Sequence, residues 1–97
     1  MKCFKKDGTL KKIYIDIIPY LEKAKKEHRQ WTNYNNVVVD EYDCYKLTID
    51  GIKKRQRIRH LEDLCNDLNI EYKYYGCVYI YFDMKINNID EVLNIVR

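Results

Sequence analysis

A chain of 97 residues makes one domain, with enough material for a core but little to spare. Hydrophobic residues at 46% and charged residues at 34% exclude a disordered chain, and no apolar run reaches membrane-spanning length. The formal net charge of +3 permits nucleic-acid contact without requiring it.

The chain opens on the charged stretch MKCFKKDG rather than an apolar leader, so a cytoplasmic location with no membrane partner is expected. Asp7-Gly8 marks a tight turn. LKKIYID, residues 10–16, alternates Ile13 and Ile15 against Tyr14 and Asp16 and predicts a strand. Pro19 suits a first helical turn. Ile17, Leu21, Ala24, His28 and Trp31 then share a stripe at helical spacing, predicting a helix to Trp31. VVVD (37–40) and CYKLTI (44–49) predict two strands joined near Glu41–Asp43, or one bent strand.

Asp50-Gly51 marks a second turn. Ile58, Leu61, Leu64, Cys65 and Leu68 predict a helix over about 55–68, closed by Asn69. IEYKYYGCVYIYFD (70–83) is the strongest strand signal, interrupted at Gly76 by a bulge or turn. Asn88 and Glu91 form a capping-box pattern before a short helix burying Ile89, Val92, Leu93 and Val96. The succession β-α-β-β-α-β plus a terminal helix predicts a single α+β domain over 1–97, a ferredoxin-like two-layer sandwich.

Catalytic constellations are sparse. There is no Ser, and the four Cys lack CxxC spacing, so reduced thiols filling apolar space are expected and no metal or other cofactor is implied. Glu71-Tyr-Lys73 and Asp83-Met-Lys85 have the carboxylate-x-lysine spacing of metal nucleases, but a chain this rich in acids and lysines produces such triplets by chance. The expectation is a non-enzyme, with a small metal-dependent nuclease as one alternative.

Two features point to binding. Lys53, Lys54, Arg55, Arg57 and Arg59 crowd the start of the 55–68 helix, where cations oppose the helix dipole at about 0.3–1 kcal/mol each. The arrangement makes sense if an anion visits; the competing readings are a strand over Ile52–Gln56 with no helix terminus there, or a solvated edge or pairing with acids such as Asp40, Glu41 and Asp43. Alternation also puts Lys73, Tyr75, Tyr79 and Tyr81 on the sheet side away from the helices, and a neighbouring first strand would add Tyr14 to one exposed patch.

IYIDII (13–18) is similar to the first signature of RNA-recognition motifs, an apolar-aromatic-apolar triplet, and KYYGCV (73–78) resembles the second in Lys73, Tyr75, Gly76 and Val78, although on the last strand instead of the third. That resemblance implies bases stacked on sheet aromatics. Residue usage dominated by the AT-rich codons of Lys, Asn, Ile and Tyr, with small size, resembles accessory proteins of phages and mobile elements, including anti-CRISPR inhibitors of host defence. The function expected is occlusion of a nucleic-acid-processing or defence complex, a protein or ribonucleoprotein partner, through the basic cluster and Tyr patch. The alternative is direct single-stranded nucleic-acid binding; an exposed strand would also permit a homodimer.

Overall fold

A computed structural model describes all 97 residues. A bridge between Phe4 and Leu10 closes the first Asp-Gly turn, where Thr9 donates from its amide and its hydroxyl to Asp7 Oδ1 at 3.0 and 2.7 Å. The expected strand over 10–16 is instead a 3-10 segment, Lys12–Ile17. Its buried residues are Tyr14 and Ile17, three apart, while Ile13 and Ile15 are exposed; this one-sided spacing suits a three-residue turn and not a pleat. Tyr14 therefore lies inside, donating to Asp63 Oδ2 at 2.9 Å, and residues 13–18, which resemble the first RNA-recognition signature, are not on a strand.

Helix α1 spans only Ile18–Glu22, with Pro19 in its first turn. The rest of the expected helix is strand β1, Lys25–Thr32. Intrinsic helix preference is overridden here by pairing: β1 runs antiparallel to β2, Val38–Ile49, whose acids and lysine complement it, as in Lys46–Glu27 at 3.4 Å and His28–Asp43 at 2.7 Å. β2 is one continuous strand, the single-strand alternative of the sequence reading.

Asp50-Gly51 turns the chain, with Gly51 at φ +87, into helix α2, Lys54–Asp67. Ile58, Leu61, Leu64 and Cys65 face inward as expected, and Asn69 in the left-handed region (φ +55) ends the helix as Ile70 N donates to Cys65 O at 2.8 Å. β3, Tyr72–Gly76, and β4, Ile80–Met84, form a hairpin. Gly76 has φ +111, and a Cβ there would stand 2.2 Å from Tyr79 O, so this turn admits glycine alone. Helix α3, Ile89–Val96, starts with Asn88 Oδ1 accepting from Asp90 N at 3.0 Å and buries the four expected apolar residues.

The sheet is four-stranded and antiparallel in the order β1-β2-β4-β3. The α+β class holds; the β-α-β-β-α-β succession and its ferredoxin-like order are not confirmed. Tyr45, Leu47 and Ile49 of β2 share the helix-covered face with Phe82 and Met84, over Ile17, Leu21, Leu61 and Leu64. Each of these large side chains contributes on the order of 1.5–3 kcal/mol. Cys3 and Cys65 are free thiols in the apolar core, as expected; Cys44 is buried on the opposite side of the sheet, and Cys77 is exposed. No helix is long and apolar enough to cross a membrane.

Candidate functional site: a basic end and a closed sheet face

The last rung of the sheet joins Ile49, Ile80 and Gly76. Beyond it lie the Asp50-Gly51 turn, the first turn of α2 and the β3–β4 turn. Two of the five expected cations work inside the fold. Lys54 Nζ donates to the carbonyls of Cys77 and Val78 at 2.7 and 3.0 Å, tying the helix start to the β3–β4 turn. Arg57 lies over the Tyr20 ring at 5.4 Å and is half-buried. Lys53, Arg55 and Arg59 are exposed. None of the five forms an ion pair with a carboxylate of the chain. The acids named as internal partners are engaged elsewhere: Asp40 with Lys73 at 3.5 Å, and Glu41 and Asp43 with His28 at 2.8 and 2.7 Å.

The α2 N-terminus has no side-chain cap and no acid in its first turn. Its unpaired N–H groups and three free cations therefore add their potentials. The fold also brings further lysines together, of which sequence reasoning missed Lys23 and Lys25. Lys23, Lys25 and Lys46 line a groove of about 340 Å³ with Tyr20 and Thr48, and Asp50 is the one acid in that lining. Tyr20, shared with Arg57, links this groove to α2. Only tertiary pairing puts Lys25 opposite Lys46, so no local pattern could have flagged it.

The expected Tyr patch does not assemble. Tyr14 is buried beside His60, ring centroids 4.7 Å apart, and burial then the Asp63 hydrogen bond push its pKa up. Tyr75, Tyr81 and Lys73 do share the face away from the helices, with Lys46. That face is not open, however. Asp40 is six residues along β2 from Lys46, which pairs with Asp83 on the rung that also holds Lys73. A flat ribbon would separate those rungs by about 20 Å. Lys73 Nζ nonetheless reaches Asp40 at 3.5 Å, and the Trp31 ring, from the Asp40 rung, meets Tyr75 edge-on at 5.4 Å. The β1–β2 hairpin thus curls over the face.

Beneath the curl is a polar core. Asp83 is fully buried. It accepts from Arg29 Nε at 3.2 Å and from Tyr42 OH at 3.0 Å. Cys44 is buried on the same face, and burial, followed by the Asp83 charge, raises its pKa to about 11. Lys73, Lys46 and Lys85 lie over Trp31, Tyr81 and Tyr42 at 5.2, 5.4 and 4.4 Å. Of the expected tyrosines only Tyr79, in the β3–β4 turn, is freely exposed, at 52%, and it stands at the basic end with exposed Ile52 and Val78.

The thiols, histidines and carboxylates of the chain are mostly held in internal contacts. Burial raises Cys3 and Cys65 to about 12, so neither is a thiolate nucleophile at neutral pH. His60 Nδ1 is held by Asp16 at 2.9 Å and His28 by its two carboxylates. In the two nuclease-like triplets, Asp83 is committed to Arg29, and Glu71 pairs with Lys85 at 3.8 Å. No three His, Cys, Asp or Glu side chains converge as a metal site. No family model, curated protein or solved structure matches this chain.

Proposed function

We propose that this protein is a non-enzymatic binding protein that seats its basic end on an anionic surface of a larger nucleic-acid-processing assembly and acts by occlusion. The observation that carries the reading is the set Lys53, Arg55 and Arg59, exposed at an uncapped helix start with no internal counter-charge. Stability alone would have placed acids there. Lys23 and Lys25 widen the positive surface, and Tyr79, Val78 and Ile52 give it an apolar rim of the kind that protein interfaces use. A ribonucleoprotein partner, such as the host-defence complexes that anti-CRISPR proteins inhibit, supplies both phosphate and protein surface.

The experiment is capture of partner complexes from host extract by the wild type and by a Lys53→Glu/Arg55→Glu/Arg59→Glu variant. The reading expects a protein or ribonucleoprotein retained by the first and lost by the second, with the variant no less heat-stable than the wild type, because all three side chains are exposed and acids suit a helix start. Equal retention by both would refute it.

A further inference from the structure

A second groove, about 420 Å³, runs between α2 and the β3–β4 hairpin. Arg55 and Arg59 stand along one side, one helical turn or about 6 Å apart. Ile58 and Ile80 line its apolar part, and Tyr74 and Glu62 complete the wall. Tyr74 is 46% exposed and fixed in orientation: its ring lies within 4° of the Phe82 plane and 10° of the Tyr72 plane, with centroids 6.0 and 6.4 Å away. Glu62 is anchored because its Oε2 accepts from Tyr72 OH at 2.8 Å, which leaves Oε1 as an acceptor without a partner.

We infer that this groove binds a nucleoside 5′-phosphate unit, with the phosphate between Arg55 and Arg59, the base against Tyr74, and Glu62 accepting from an amino group on the base edge. Each part of the ligand answers one feature. Two unpaired guanidiniums a turn apart match a phosphate dianion, and Arg forks hold phosphate oxygens in pairs. A rigid, half-exposed ring beside isoleucines suits a planar heterocycle. A carboxylate acceptor selects bases that offer an N–H₂ group. The groove has the volume of ordinary small-ligand sites. The unit comes from a free nucleotide or from the unpaired 5′ end of a strand. This inference rests on the proposed docking role for Arg55 and Arg59. Tyr74 and Glu62 belong to the groove alone, so the two ideas can fail separately.

The test is an amide chemical-shift titration of the intact protein with cytidine 5′-monophosphate, uridine 5′-monophosphate, cytidine and inorganic phosphate. The expected result is saturable shifts confined to residues 55–62 and 74–80. Cytidine monophosphate should bind about 10-fold more tightly than the uridine compound, which lacks the amino group, and than either fragment. Tyr74→Leu should weaken nucleotide binding about 10-fold, and Glu62→Gln, which retains an acceptor for Tyr72, should erase the cytidine preference. A 5′-phosphorylated cytidine tetranucleotide binding more tightly than the monomer identifies a strand end as the source; the reverse identifies free nucleotide. Absence of localised shifts at millimolar nucleotide, or inorganic phosphate binding as tightly as the nucleotide, overturns the inference. Partner capture lost in Lys53→Glu but intact in Tyr74→Leu would separate failure of the groove from failure of the docking surface.

Discussion

Asp83 is the residue on which the second side of the sheet is built. It is completely buried, and its two donors, Arg29 and Tyr42, come from the hairpin that curls over it. Removing one partner of a buried ion pair leaves the other uncompensated, so Asp83→Asn should destabilise the protein by about 3 kcal/mol, read as a shift of the urea midpoint. Joint replacement, Arg29→Met with Asp83→Leu, should recover at least half of that loss. His28 behaves differently because it is exposed and sits between Asp43 and Glu41, whose hydrogen bonds raise its pKa above the usual histidine value. A raised native pKa means that protonation is favoured by folding. The contribution is therefore complete at pH 5–6, with both carboxylates ionised, and is lost as pH rises through the elevated value. Protection factors of the β1–β2 amides, taken against intrinsic exchange at each pH, should fall across that window in the wild type and show no such step in His28→Gln.

Among the elements, the β3–β4 turn is the most sensitive to a single methyl group. Gly76→Ala meets the Tyr79 carbonyl as well as an unfavourable φ, and should cost about 2–3 kcal/mol; Gly8→Ala, at φ +89 in open space, should cost only about 1 kcal/mol. Comparative thermal denaturation decides this. In α2 and α3, Ile58, Leu61, Leu64, Val92 and Val96 recur at helical spacing, so apolar periodicity revealed both helices. Tyr72, Tyr74 and Phe82 alternate with Lys73, Tyr75 and Tyr81, and the face assignment follows from that alternation. β1 was hidden because its inward residues are Glu27, Arg29 and Trp31, which form a polar core that only β2 and β4 complete. Ala24, His28 and Trp31 imitate a helical stripe, and nothing within that segment announces the pairing that overrules it. Tyr14 was misplaced for a related reason: its hydroxyl partner, Asp63, is 49 residues away.

At the scale of the molecule, extents of 51 × 28 × 21 Å describe an elongated body. Lys53, Arg55 and Arg59 stand at and just past the start of α2, and Lys23 and Lys25 line the groove beside Tyr20, while Asp63 and Asp67 lie toward the far end of α2. The five cations of α2 were visible as a run in the sequence; their division into two that brace the fold and three that face outward depends on where the β3–β4 turn and Tyr20 come to rest. The most direct measurement of the central claim is affinity for a single-stranded oligonucleotide, the simplest flexible polyanion, between 50 and 200 mM salt, for the wild type and the Lys53→Glu/Arg55→Glu/Arg59→Glu variant. The account predicts that wild-type log affinity falls steeply with log salt, and that the variant binds at least 10-fold more weakly with a slope shallower by about 2, near 0.7 for each lost phosphate contact. Wild-type affinity indifferent to salt, or a variant with the same affinity and slope, would contradict it.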